Sequence, residues 1–299
     1  LFALDVTDPS AFDESSANEI VLWEFSDSDD PHLGKTYSRP DVALLNNGKW
    51  AVIIGNGPED TATDSDAGEA QLFIITLEGG LDGTWTEGTD YWRITTNLGE
   101  ESNRNGLFSP STVDLNNDGI ADRVYAGDLH GGMWAFDLSS SNPNDWDTTV
   151  GSDFSTKPLF HAFVSDTTGN VVNQPITSQP LVIYHPTIED APSPNLMVLF
   201  GTGKFLEEAD KTDLSQQSYY AVWDTGHRQS GSDLTRAHLA GQSFIVNDST
   251  TGERVLQPIS EMSPDYEGTE GSRQFGWYID LDAGERVASR SLFRLGILH

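Results

Sequence analysis

The 299-residue sequence predicts an all-β fold, a β-propeller of stacked blade units with long inter-strand insertions. Three observations lead there. Helical periodicity is scarce, and short apolar or alternating runs bounded by Gly, Asn, Asp and Pro dominate. A diffuse unit recurs, opened by Pro40, Pro110 and Pro180 at an even spacing of 70 residues. In each copy a second apolar run closes on a glycine: Gly55, Gly127 or Gly201.

Taken in order, "LFALDVTDP" (1–9) matches the third strand of a unit, so the sequence is expected to start inside a blade. The first unit reads "SRPDVALLNNGKWAVIIGNG", a polar insertion, then "AQLFIITL". The second reads "SPSTVDLNNDGIADRVYAGD", then "HGGMWAFDL". The third reads "SQPLVIYHPT", a Pro-rich excursion, "NLMVLFGTGKFL", then "SYYAVWD". "FGWYIDLD" (275–282) reads as a further third-strand element. Trp50, Trp134, Trp223 and Trp277 recur at similar strand positions, where core packing is expected rather than ligand stacking.

A unit of this length cannot bury both faces alone, so neighbours must stack. Radial sheets of about four strands make a propeller, and glycines at strand ends permit close approach near its axis. A β-sandwich with accidental internal similarity is the competing architecture. The expected organisation is one propeller-domain fragment over 1–299 with about four recognisable blade units, further blades lying outside this chain.

Composition narrows the function. The formal net charge is −31, from 47 acidic and 16 basic residues spread along the chain. A field of that sign repels nucleic acid and anionic membranes and attracts divalent cations. No apolar run approaches the roughly 18 residues of a membrane-spanning helix. Cysteine is absent, which excludes disulfides and thiolate-bound metals. The start lacks an initiator Met and a signal peptide, as expected of a mature or excised fragment.

The most specific motif is "DLNNDGIAD" at 114–122. Calcium is a hard cation that takes six to eight oxygens at about 2.3–2.6 Å, and a DxNxDG loop can wrap them around it. Asp114, Asn116 and Asp118 offer side-chain oxygens at positions 1, 3 and 5, Gly119 the sharp bend, Ile120 its carbonyl, and Asp122 the closing carboxylate. A standard EF-hand carries Glu at position 12, whereas Tyr125 stands there and the exit "RVYAGD" reads as strand. The expectation is a nine-residue calcium loop between two strands, with Asp122 taking the bidentate role. Carboxylates held this close repel one another without a cation. The alternative is a plain Asn-Asp-Gly turn in an Asp-rich chain. In the first unit "LLNNGKW" occupies the same place without the acids, so the fold does not require them. The cluster "EDTATDSDAGEA" (59–70), with Asp60, Asp64 and Asp66, fits no standard loop and reads as a solvated insertion.

Catalytic signatures are lacking, and no enzyme is expected. The seven His residues are scattered without HExxH, His130 reads as a turn residue, and no GxSxG elbow occurs. "GTGK" (201–204) lacks the spacing and the Ser/Thr of a phosphate loop.

Together "LFALDVTDP", "GKWAVIIGNG" (48–57), "DLNNDGIADRVYAGDLHGGMWAFDL" (114–138), "QPITSQPLV" (174–182), "MVLFGTGKFLEEAD" (197–210), "QSYYAVWD" (217–224) and "GWYIDLDAGERV" (276–287) carry a resemblance. The chain resembles the C-terminal β-propeller of the PilY-type, pilus-tip-associated adhesins of type IV pilus biogenesis, over most of its length and in consistent order. The resemblance implies part of a modified seven-bladed ring with one calcium in a nine-residue loop. It implies as ligands Asp114, Asn116, Asp118, Asp122 and the Ile120 carbonyl. It implies that calcium occupancy governs pilus extension against retraction, and through it surface adhesion and twitching motility. The implied partners are pilin and minor pilin subunits and a host or abiotic surface. The implied location is the pilus tip, secreted or outer membrane-associated, of a Gram-negative cell. Some relatives carry an Arg-Gly-Asp integrin site; this sequence has no such tripeptide.

Two rivals share parts of the pattern. A quinoprotein dehydrogenase propeller binding pyrroloquinoline quinone has strand pairs like "YAGDLHGGMWAFDL", but its regular tryptophan-docking motif is not found in nearly every unit here. An integrin-α-like or lectin propeller repeats its DxNxDGxxD loops, and this chain has one good copy.

Overall fold

The computed structural model describes residues 1–59, 61–148, 157–166, 168–189, 191, 193–226, 234–246, 254–256, 263–269, 272–294 and 297–298. It comprises two compact units: Leu1–Val124 with Phe136–Thr148, and Tyr125–Ala135 with Thr149–His299. The fold is all-β, and among the described residues the only α-helix is the single turn Ala17–Ile20.

The first unit opens with an antiparallel pair, β1 (Phe2–Leu4) and β2 (Val21–Glu24). A four-stranded antiparallel meander follows: β3 (Asp41–Leu44), β4 (Trp50–Gly55), β5 (Glu69–Thr76) and β6 (Tyr91–Gly99). Pro40 immediately precedes β3, where a residue unable to donate to the ladder marks a strand start. After their first residues, β4 and β5 are buried throughout. Their unbroken apolar runs suit strands covered on both faces. Against this sheet pack Trp23 and Phe25, with Phe73 and Tyr91 among their neighbours. Phe25 meets Tyr91 edge-on at 4.9 Å and Phe73 at 5.9 Å. Each such aromatic contributes about 1.5–3 kcal/mol by burial.

The next sheet has the order β10-β9-β8-β7, from β7 (Ser111–Val113), β8 (Arg123–Gly127), β9 (Gly132–Asp137) and β10 (Phe160–His161). A small hairpin of β11 (Phe163–Ser165) and β12 (Val171–Asn173) follows. In the second unit, β13 (Leu181–Tyr184), β14 (Leu196–Gly201) and β15 (Ser218–Asp224) run antiparallel. Beyond them come β16 (Ala240–Gln242), a hairpin of β17 (Phe244–Val246) and β18 (Arg254–Leu256), and β19 (Gly276–Asp280).

Several expectations hold and some do not. Pro110 and Pro180 precede β7 and β13 as Pro40 precedes β3. Gly55, Gly127 and Gly201 each end the second strand of a sheet. A Cβ on them would lie 2.3 Å from the Leu107 carbonyl and 2.2 Å from the Ile176 and Val287 side chains, so close approach excludes any larger residue. His130 sits in the turn between β8 and β9.

The segment 275–282 is not a further third strand. Its strand β19 is the fourth strand of the third sheet, antiparallel to β15 with Tyr219 opposite Ile279, and β16 joins its other edge in parallel. Alternation alone could not say which partner it would choose. Trp134 and Trp223 are buried, but Trp277 is half-buried and Trp50 is 54% exposed. Trp50 begins β4 at the turn, before the sheet is covered.

Candidate metal site

The loop 114–122 joins β7 to β8 inside the first unit, so a strand leaves it as the spacing predicts. Short polar side chains shape it by bonding the backbone just ahead of them. The Asp114 carboxylate accepts the N–H of Gly119 at 2.7 Å and of Asp118 at 3.2 Å. Asn116 Oδ1 accepts the N–H of Asp118 at 2.9 Å, and Asp118 Oδ1 that of Ile120 at 2.8 Å. The reversal needs the left-handed region at Asn117 (φ 61°) and Gly119 (φ 89°). The sequence marks Gly119 for this bend but gives Asn117 no role.

Asp122 is the buried end of the loop. Its Oδ2 accepts the Leu115 N–H at 2.9 Å, and its Oδ1 the Asn46 amide at 3.3 Å. Desolvation works against ionisation at Asp114, but the N–H groups of Gly119, Asn117, Asp118 and Asn116 outweigh it and hold that carboxyl below its ordinary range. Among the described residues, no Lys, Arg or His side chain pairs with Asp114, Asp118 or Asp122.

The donor set fits a hard cation: three carboxylates, the Asn116 amide oxygen and the Ile120 carbonyl, all oxygen with no nitrogen or sulfur. It is not a closed cage. Among the described residues, no three Asp, Glu or His side chains are gathered as a ready metal cluster. The Asp122 carboxylate is held by the Leu115 N–H and the Asn46 amide.

The second acidic stretch is a solvated insertion only in part: Asp64 is exposed, but the stretch is anchored by a buried acid. Glu59 is buried and accepts from the N–H groups of Thr61 (3.1 Å), Ala62 (3.0 Å) and Gly68, and from Arg104. Asp64 accepts from His32 Nε2 at 2.9 Å, and that bond is the main cause holding its carboxyl below the usual range. Asp66 is partly buried, and Asp60 lies outside the described residues. The acids here already have basic partners, supplied by Arg104 and by His32, which is distant in sequence.

The fold and loop define a β-propeller segment with one candidate cation loop. Residues 1–253 match the family model described as the PilY1 beta-propeller domain, and the chain belongs to that family. The Type IV pilus biogenesis factor PilY1 of Pseudomonas aeruginosa strain PAO1 is 38% identical over 94% of this chain and 24% of its own length. A Type IV pilus biogenesis factor PilY1 homolog of Xylella fastidiosa (strain Temecula1) is 33% identical over 99% of this chain and 19% of its own. The chain thus spans about a quarter or less of the curated relatives it matches. The crystal structure of the Pseudomonas aeruginosa PilY1 C-terminal domain superposes with a TM-score of 0.71 at 32% identity, covering 97% of this chain and 59% of that one.

Proposed function

We propose that this chain is the calcium-binding propeller segment of a type IV pilus biogenesis factor that acts as a tip-associated adhesin. Calcium in loop 114–122 governs whether pili stay extended or are retracted, and adhesion and twitching motility follow. The observation that carries the reading is an all-oxygen, nine-residue loop whose three carboxylates pair, among the described residues, with no basic side chain. Family membership supports it, since the matched relatives are named as pilus biogenesis factors.

Asp114, Asn116, Asp118, the Ile120 carbonyl and Asp122 would hold the ion. The cation supplies the positive charge that the chain withholds. The chain's own part is to present the oxygens: Asx-type turns aim positions 1, 3 and 5, and Asp122 ties the exit of the loop to its start. Calcium suits the site better than magnesium, which prefers fewer protein ligands and near-ideal octahedral geometry. Pilin and minor pilin subunits, and a host or abiotic surface, are the partners of this reading, and the cell surface at the pilus tip is its location.

Calorimetric titration tests the site. The wild type takes up one calcium per chain, and Asp122→Ala takes up none. Undiminished affinity in Asp122→Ala removes the ligand assignment. Carrying Asp122→Ala in the full-length protein then alters twitching motility; unchanged motility alongside lost calcium binding breaks the link from occupancy to retraction.

A further inference from the structure

The acid-free turn of the first meander lies against the calcium loop. The Ala121 N–H donates to the Leu44 carbonyl at 2.9 Å, and Leu45 and Ala121 form a parallel bridge. Asn46, next in the turn, points its amide nitrogen at three acceptors: the Ala121 carbonyl (3.3 Å), Asp122 Oδ1 (3.3 Å) and the Leu138 carbonyl (3.2 Å). Two carbonyls and a carboxylate admit only the donor end of the amide, so the orientation of Asn46 follows from its surroundings. All four residues belong to the first unit, and Leu45 and Leu138 are fully buried.

We propose that Asn46 is the positioning residue of the calcium loop and carries its occupancy into the β3–β4 turn. This rests on the calcium reading of the loop. An amide nitrogen has two hydrogens, and here three acceptors compete for them. A cation that engages Asp122 fixes the carboxylate to which Asn46 donates, so the Asn46 amide and the turn that carries it are held more tightly. The tightening is felt in a turn closed by the Gly48 N–H on the Leu45 carbonyl at 2.8 Å. That turn runs straight into Trp50, the exposed aromatic at the start of β4. The calcium-sensitive surface therefore includes the acid-free turn of the neighbouring sheet as well as the loop. Groups that orient a metal ligand from outside commonly change metal affinity about 10–100-fold when removed, which sets the scale expected of Asn46.

The test uses the full 299-residue chain with calcium chloride as probe against a chelated control. Calorimetry reads affinity, and hydrogen exchange followed by mass spectrometry reads segments 44–49 and 114–122. In the wild type, calcium slows exchange in both segments. Asn46→Ala binds calcium about tenfold more weakly and, once saturated, keeps the protection of 114–122 but loses that of 44–49. Asn47→Ala behaves as wild type, since its side chain bonds within its own turn, to the Lys49 N–H. A role in folding alone would change exchange equally with and without calcium. Protection of 114–122 without 44–49 in the wild type overturns the coupling with no variant needed. Unchanged affinity and unchanged turn protection in Asn46→Ala overturn it too, while leaving the calcium site standing. A wild type that takes up no calcium sinks both.

Discussion

Two acidic loops of the first unit solve one electrostatic problem in opposite ways. In 59–70 the protein supplies basic side chains: Arg104 meets the buried Glu59, and a His32 ring N–H meets Asp64. In 114–122 the carboxylates find, among the described residues, N–H groups and the neutral amide of Asn46. Hydrogen bonds stabilise an ionised carboxylate, but they leave its charge unbalanced. The buried acid of the first loop is thus balanced within the chain, whereas among the described residues the second loop is left short by the charge a divalent cation brings. Acid content alone does not distinguish a metal loop from a structural one; the position of the nearest basic side chain does.

The largest expected effect lies in the self-sufficient loop. Glu59→Ala takes from Arg104 its buried carboxylate partner and leaves three backbone N–H groups without their acceptor. Breaking a buried ion pair costs about 3–5 kcal/mol, and the urea midpoint should fall by the same amount with or without calcium. A calcium-dependent loss there would erase the contrast between the loops.

Next comes metal removal. With calcium a hundredfold above its dissociation constant, binding stabilises the fold by about 2.7 kcal/mol, so chelation lowers the melting temperature of the wild type. Asp122→Ala should be insensitive to chelator, and Asp118→Ala nearly so. Glu59→Ala should retain the wild-type response, because its loop needs no ion.

Smaller effects separate backbone from ligands. Asn117→Ala removes the short polar side chain that makes the left-handed region tolerable to a non-glycine residue and costs about 1 kcal/mol in melting experiments, while calcium affinity stays near wild type. A matching loss of affinity would make Asn117 more than a hinge.

The acid limb gives the smallest signal. Asp64 and Asp114 both have folded-state values below the ordinary carboxylate pKa. Each therefore contributes stability that is present above its unfolded value of about 3.9 and is lost as pH falls through the lowered folded value. Melting curves stepped downward from neutral pH should begin to weaken just below pH 4.

Much of this was readable from residue order. Proline before a first strand, glycine at the end of a second and the DxNxDG spacing are local rules of backbone geometry, and the structure keeps each of them. The failures were questions of partnership. Strand β19 reads like a third strand and is a fourth, because alternation fixes which face a residue takes and not which neighbour it pairs with. Glu59 reads as wet surface and is buried, because its partner Arg104 stands 45 residues away. Trp50 reads as core, yet it sits one residue before the covered part of its strand.

The sequence by itself determined an all-β repeat, its strand starts and stops, and a loop rich in hard oxygen donors, since these depend on φ preferences and on spacing along the chain. Only the tertiary structure decided which acids are balanced and which are not, and that the turn at Asn46 touches the loop at Asp122. Charge compensation acts through space over a few ångströms, and chain separation carries no record of it.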